Sequence, residues 1–594
     1  MLSRSQARQL ARILLSLLTR LRVILFGHED LASVVFWATL VGIAGALASV
    51  LFRKGISLTI RLFTGYWPHA MHGSGLVAVA LKLSWWHRAL LPAVGGVLAG
   101  SALLLVRRRL VSSKAVDYIE AVKVGDGRIG FRGSILKSLG SMLTIASGGS
   151  IGREGSMVQL SAMLGSRIGL LARAPVPRLR LMVACGVAAG IAAAYDAPIS
   201  GALFASEIVL GAMSMESFGP LVIASVVSNA TLNRVLHYGT VYVVPHVVFA
   251  SNWELIFFVL LGVLLGHLAP PFLALLDFAK SQFVRLKLPL YWQLALGGVF
   301  VGLISIFVPQ VWGNGYSVVS HMLQGRVLGW WLLAVLVAKV LATASTVGSG
   351  GVGGVLTPSL FIGASVGTLA GQVLHAFMPH IVSMPAAYGL IGMGAFLAAT
   401  TQAPLTSILM IFEMTLDYNV VLPLMLACVT AHYTARVYRG GQSIYHATLG
   451  EAIVAEHGDD WRLRTVEALV KPAAVVVTRE TPLSEVFGRL SRHTVRRVYV
   501  TDGDELVAWF RPREVLPRLH KGEIGWDAPA ESVAQPVNEA LSPDMSLTEA
   551  LEGFLREKVR TLPVTPGQWR HTLLGEVSRD DVLLAIRDRL TVIK

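Results

Sequence analysis

"SGGSIGREGSMVQL", residues 147–160, sets an arginine and a glutamate inside a glycine-rich run. Its surroundings decide what such a pair can do. Leu31 to Phe52, Ala89 to Val106 and Leu255 to Leu276 carry no Asp, Glu, Lys or Arg. Each is long enough to cross a hydrocarbon core of about 30 Å as a helix. Over 594 residues, 54% are apolar and only 15% charged, where soluble globular chains carry roughly 25% charged residues. The chain is read as an all-α polytopic membrane protein, with Arg153 and Glu154 inside its membrane part.

The formal net charge is +15, from 51 basic and 36 acidic residues. A basic balance raises nucleic acid as a partner. The cations, however, flank apolar runs: Arg4, Arg8, Arg12, Arg20 and Arg22, then Arg107 to Arg109, then Arg178 and Arg180. That is the pattern of cytoplasmic flanks, so the expected partner is the lipid bilayer and not nucleic acid. In residues 1–30, charges interrupt the apolar stretch and no small-residue cleavage site follows, which argues against a signal peptide. An amphipathic helix on the inner membrane surface is expected there. Cys185 and Cys428 are the only cysteines and both sit in apolar segments, so neither a disulfide framework nor a cysteine metal site is expected.

The membrane part repeats itself. "CGVAAGIAAAYDAPISGALFASEI" (185–208) lies without gaps on "IGMGAFLAATTQAPLTSILMIFEM" (391–414). Gly186, Ala197, Pro198 and Glu207 meet Gly392, Ala403, Pro404 and Glu413. Upstream, "SGGSIG" (147–152) matches "SGGVGG" (349–354). Two halves, about 31–235 and 250–440, each with a glycine-broken segment at the corresponding position, point to an ion or substrate site there. Close packing is the plainer use of glycine, and pairs such as Gly96/Gly100, Gly186/Gly190 and Gly262/Gly266 have the four-residue spacing for it. It does not account for one SGGxxG in each half before a helix.

The second glycine run predicts non-helical backbone followed by a helix starting near Val355. Such backbone must line a cavity or be buried in protein, because unpaired amides in hydrocarbon cost several kcal/mol each. Helix N-termini present free N–H groups and about half a positive charge, which suits an anion. Two such ends, near Arg153 and Val355, would meet if the halves are related by inverted pseudo-symmetry. Anion transport follows. Glu154 carries the charge of the transported ion, so its side chain can occupy the anion's own site until protonation frees it. The plainer reading of Glu154 is a surface ion pair with Arg153 at a helix end.

These residues closely resemble the CLC family of chloride channels and chloride/proton antiporters, over about 30–455. The family's GREGP motif is matched by Gly152-Arg153-Glu154-Gly155-Ser156, its GxFxP motif by Gly354-Val355-Leu356-Thr357-Pro358, and its late pore tyrosine by Tyr445 in "GGQSIYHATL". Within the family the chain is similar to the bacterial B-type branch, the voltage-gated chloride channels. The resemblance implies a homodimer with one pore per subunit, in a bacterial inner membrane, with both termini cytoplasmic. It makes Glu154 the gating glutamate, with Gly152, Arg153, Gly155 and Gly354 around the anion. It makes the amides of Val355 and Leu356, with the Tyr445 hydroxyl, ligands of the central anion.

Three departures matter. The family's GSGIP loop falls in "LVSSKAVDYIEA" (110–121), where neither glycine nor proline stands. Anchoring on Ile119-Glu120 puts Lys114 at the anion-binding serine, and one inserted residue puts Ser113 there. The antiporters' internal proton glutamate aligns with Ile208, next to Glu207, whose side chain diverges by about 100° on a helix. Glu207 is the nearest alternative acid for proton transfer. Leu356 and Ser156 replace the usual aromatic and proline, leaving the amide donors in place.

Beyond about residue 460 the texture becomes charged, with short segments. "AAVVVT" (473–478), "RRVYVT" (496–501) and "RTLPVT" (560–565) read as strands, "LSEVFGRLSR" (483–492) and "LTEALEGFLRE" (547–557) as amphipathic helices. Residues 465–594 form an α/β module of two repeats that resembles a pair of CBS domains. By that resemblance Ser578 and Asp581 would hold an adenine nucleotide, the one ligand expected besides the anion; a purely structural tail is the other reading. The missing internal glutamate favours passive, Glu154-gated chloride conductance over a coupled chloride/proton antiporter. An intramembrane enzyme using Ser156 or Glu154 is the remote alternative, because neither has a histidine or second acid beside it in the sequence.

Overall fold

In the computed structural model the described residues are 31–66, 75–109, 117–123, 125–211, 213–236, 249–326, 329–439 and 443–445, and, in the tail, 465–471, 475–490, 497–503, 505–537, 540–547, 549–550, 553–554, 561–566, 572–579 and 581–582. The predicted N-terminal helix, Ser113 and Lys114 lie outside them. The chain divides into two compact units, Met1–Thr448 and Leu449–Lys594.

The first half of unit one comprises α1 (Leu31–Thr64), α2 (Gly75–Lys82), α3 (Trp85–Arg109), α4 (Tyr118–Lys123), α5 (Phe131–Ala146) and α6 (Glu154–Leu171). It continues with α7 (Val176–Tyr195), α8 (Pro198–Phe204) and α9 (Met215–Ala230). The second half comprises α10 (Glu254–Arg285), α11 (Leu290–Phe307), α12 (Tyr316–Leu323) and α13 (Trp331–Gly348). It ends with α14 (Leu356–Phe377), α15 (Pro385–Thr401), α16 (Pro404–Thr415) and α17 (Val421–Arg439). Among the described residues, 8 helices are long and apolar enough to cross a membrane. Their outer faces carry exposed apolar side chains, with Trp85, Trp253 and Trp330 more than half exposed, as suits a protein solvated by lipid and anchored by aromatic residues at its interfaces. This is an integral membrane protein. The α10 helix runs through Pro270 and Pro271 without ending.

The two halves contact each other reciprocally. A Cβ built on Gly96 would meet the Leu294 carbonyl, and one on Gly298 the Pro92 carbonyl. Gly96 and Gly298 stand 202 residues apart, as do Pro92 and Leu294. When residue i touches j and the mate of j touches the mate of i, the two bodies are related by a two-fold operation. The glycine pairs singled out for packing serve it. Gly186 faces the Ser161 carbonyl and Gly262 the Ala427 carbonyl, each with no room for a Cβ.

In unit two, β1 (Val476–Thr478) pairs in parallel with β2 (Val498–Asp502). That strand pairs antiparallel with β3 (Glu505–Phe510), and β3 with β4 (Gln535–Pro536). A second sheet joins β5 (Thr561–Val564) to β6 (Gly575–Ser578) antiparallel. The helices α18 (Leu483–Leu490) and α19 (Pro512–His520) pack Val486, Val515 and Leu519 onto the first sheet. Leu562, Val564, Val577 and Phe554 form a second core. Two small cores, one per repeat, are what a tandem α/β module requires.

Candidate anion site at the meeting of the two halves

Both glycine runs close a helix in the same way. After α5, the Gly148 and Gly149 amides donate to Ile145 O (3.1 Å) and Thr144 O (2.9 Å). After α13, Gly350 and Gly351 donate to Val347 O (3.0 Å) and Thr346 O (2.9 Å). Gly148 has φ +106° and Gly350 φ +97°, a left-handed turn that favours glycine. From these turns the two chains run toward each other and pair. Gly152 N donates to Gly354 O, and Gly354 N to Gly152 O, both at 2.8 Å. Immediately beyond the pair, α6 starts at Glu154 and α14 at Leu356, with Arg153 and Val355 as their N-cap residues.

Two helix N-termini therefore converge on one antiparallel bridge. Among the described residues no group accepts from the amides of Gly155, Val355 or Leu356. The first turn of a helix leaves its N–H groups without intrahelical partners, and each end carries about half a positive charge. In a buried setting such donors need an acceptor, and a small anion supplies one.

Glu154 is fully buried. Its Oε1 accepts from the Tyr316 hydroxyl at 2.6 Å, while Oε2 has no protein partner. That oxygen lies where a Cβ on Gly152 would stand, so the glycine makes room for the carboxylate. Arg153 makes no ion pair with Glu154; its guanidinium carbon lies 5.4 Å from the Tyr316 ring centroid. The surface ion-pair reading is thereby corrected, because the carboxylate points inward to a phenol. A run of hydroxyls continues from there: Tyr316 Oη lies 3.4 Å from Thr357 Oγ1, which lies 3.2 Å from Tyr195 Oη.

Tyr445 follows α17 in a turn, where the Ile444 amide donates to Thr400 O at 2.9 Å. Its ring meets Phe204 edge-on at 5.9 Å. Its hydroxyl is buried without a hydrogen-bond partner, and Glu154 and Asp117 lie within electrostatic range of it. Leu356, Thr357 and Ser156 are buried beside the bridge.

Glu207 and Glu413 are exchanged between the halves. Glu207 Oε2 accepts from the Thr406 amide (3.0 Å) and hydroxyl (2.7 Å) at the start of α16. Glu413 accepts from the Ile199 and Ser200 amides (both 2.7 Å) and the Ser200 hydroxyl (2.6 Å) at the start of α8. Each carboxylate caps the other half's helix, which satisfies first-turn donors and complements the positive end. Ile208 is buried in the π-helical turn Ala205–Leu210 that carries Glu207.

In the tail, Asp581 is paired with Lys471 at 2.7 Å, and Ser578 lies opposite Thr561 in the β5–β6 register. The Tyr499 hydroxyl donates to Glu576 at 3.0 Å; burial, together with that carboxylate, pushes its phenol well above the ordinary value. Ser546 and Glu549 form a capping box, and the Ser546 hydrogen bonds hold the Glu549 carboxyl below its usual range.

Residues 95–436 match the family described as voltage gated chloride channel, and residues 466–521 and 531–588 match the CBS domain. The ClcB-like chloride channel protein of Ralstonia nicotianae is 48% identical over 416 residues, covering 69% of this chain and 95% of that one. The voltage-gated ClC-type chloride channel ClcB of Escherichia coli is 41% identical over 406 residues, covering 67% and 94%. Among solved structures, a slow cyanobacterial Cl−/H+ antiporter is 25% identical with a TM-score of 0.62, covering 71% of this chain and 98% of that one. A eukaryotic CLC transporter shares the fold, at 18% identity and a TM-score of 0.60, over 92% of this chain and 97% of its own. The chain belongs to the voltage-gated chloride channel family, the CLC proteins of chloride transport, and its tail is a pair of CBS domains.

Proposed function

We propose that this protein is a passive chloride conductance gated by Glu154, working as a homodimer in a bacterial inner membrane with both termini cytoplasmic. One observation carries the reading: two helix N-termini converge at the Gly152–Gly354 bridge, with the Glu154 carboxylate buried beside them. The unpartnered amides of Val355 and Leu356 and the Tyr445 hydroxyl are the donors for the ion. The carboxylate competes for the same donors. Protonation removes its charge and lets chloride take its place, so flux rises as pH falls.

Passive flow is favoured over coupling by Ile208, which cannot carry a proton where the resemblance places the antiporters' internal glutamate. Glu207, the adjacent acid, is engaged in capping α16. A coupled antiporter is the second reading, supported by the hydroxyl run Glu154–Tyr316–Thr357–Tyr195, a proton route that needs no second carboxylate. Sealed liposomes decide between them. Chloride driven down its gradient should move no protons uphill, and uphill proton movement that disappears in Glu154→Gln would establish the antiporter.

A further inference from the structure

Lys339 is the fully buried cation of α13, one residue before the uncharged stretch that leads into the second glycine run. Among the described residues it has no carboxylate partner. Its ammonium donates to Val311 O at 2.9 Å and Gly313 O at 2.7 Å, and lies 5.5 Å from the Phe361 ring centroid. Burying an ammonium is costly, and an apolar side chain would pack without that cost. What lysine adds is two strong donors to two carbonyls of one loop.

That loop, 309–315, touches the site at two places. The Gly313 amide donates to Gly149 O at 3.2 Å, and the buried Trp312 ring lies against Gly148 in the first glycine turn. The loop then ends at Gly315, with φ +86°, the N-cap residue of α12, and the next residue is Tyr316. The corresponding lysine of the first half behaves otherwise. Lys137, 202 residues earlier on α5, is about a third exposed and pairs with Asp117 at 3.6 Å. Only the second-half lysine is spent on backbone carbonyls, and only its loop carries the tyrosine that meets Glu154.

We infer that Lys339 is a positioning residue of the gate, holding the 309–315 loop so that Tyr316 presents its hydroxyl to the Glu154 carboxylate. The inference rests on the reading of Glu154 as the gate. The charged and titratable groups around the Tyr316–Glu154 pair are Arg153, the N-cap residue of α6, Tyr195 of α7, reached through Thr357, and, on the Glu154 side, Tyr445 with Asp117 beyond it; Lys339 is reached through the loop. A hydrogen bond donated to a carboxylate favours its charged form. Without Lys339, two buried carbonyls lose their donors, the loop reorients, and Tyr316 releases Glu154, so that the gate opens at a higher pH.

The test is chloride efflux from liposomes as a function of pH, read as the pH of half-activation. Tyr316→Phe and Lys339→Met should each raise it, by about one unit or more for the loss of a charge-assisted bond. The double variant should move no further than Tyr316→Phe alone, and Lys339→Arg, which keeps the charge and the donors, should stay at the wild-type midpoint. An unchanged midpoint in Lys339→Met, or shifts that add in the double variant, would overturn the role. If Lys339→Met does not fold, Lys339→Gln, with a shorter donor, is judged by the same two criteria. A pH dependence that survives in Glu154→Gln removes the gate itself. One that is lost there but unmoved by Lys339→Met removes only the part given to Lys339.

Discussion

The two glycine turns of the membrane unit are nearly the same object, yet only one of them is charged. Both end a helix with the same pair of backbone hydrogen bonds, both use a left-handed glycine, and both launch a helix from the shared bridge. In the first half the residues beyond the bridge are Arg153 and Glu154; in the second they are Val355 and Leu356. Backbone geometry, present twice, supplies donors for an anion. The side chain, present once, supplies the competitor. Two carboxylates at this spot would repel each other in a medium of low dielectric, and none would leave the donors without a gate.

Giving the second half the acid of the first is the harshest way to break this asymmetry. Leu356→Glu should abolish chloride efflux from liposomes, by about a hundredfold or more, because a second buried carboxylate both fills the anion's place and repels it. Wild-type efflux in that variant would mean that the two ends do not share a site.

A smaller effect sharpens the symmetric side of the comparison. Glu413 accepts three hydrogen bonds from the first half, whereas Glu207 accepts two from the second. Removing either cap should destabilise the membrane unit by about 1–2 kcal/mol, with Glu413→Ala the worse. Thermal unfolding in detergent measures this; equal melting temperatures for both variants and the wild type would deny the caps a structural role.

The parts of the site that were legible in the sequence are those that repeat or interrupt locally. Glycines that break an apolar run are visible without a structure, and their recurrence 202 residues on marked the meeting of the halves. The start of α14 near Val355 followed from that interruption. Tyr316 was not legible: its partner Glu154 is 162 residues away, and a tyrosine after Gly-Asn-Gly has no signature. Lys339 left a signal, a lone cation in the apolar stretch Trp331–Gly348, but its purpose lies in carbonyls of a distant loop. The matching of Glu207 with Glu413 was readable as a repeat. That each serves the opposite half needed the fold, because the periodicity of one chain does not say which helix end faces which carboxylate.

The central claim is that the buried Glu154 carboxylate occupies the anion's place and yields it on protonation. Glu154→Gln keeps the shape and cannot titrate, so chloride efflux across a series of pH values tests the claim most directly. Efflux should rise as pH falls in the wild type and stay at a high, nearly constant level in Glu154→Gln. A folded Glu154→Gln protein that keeps the wild-type pH dependence would contradict it.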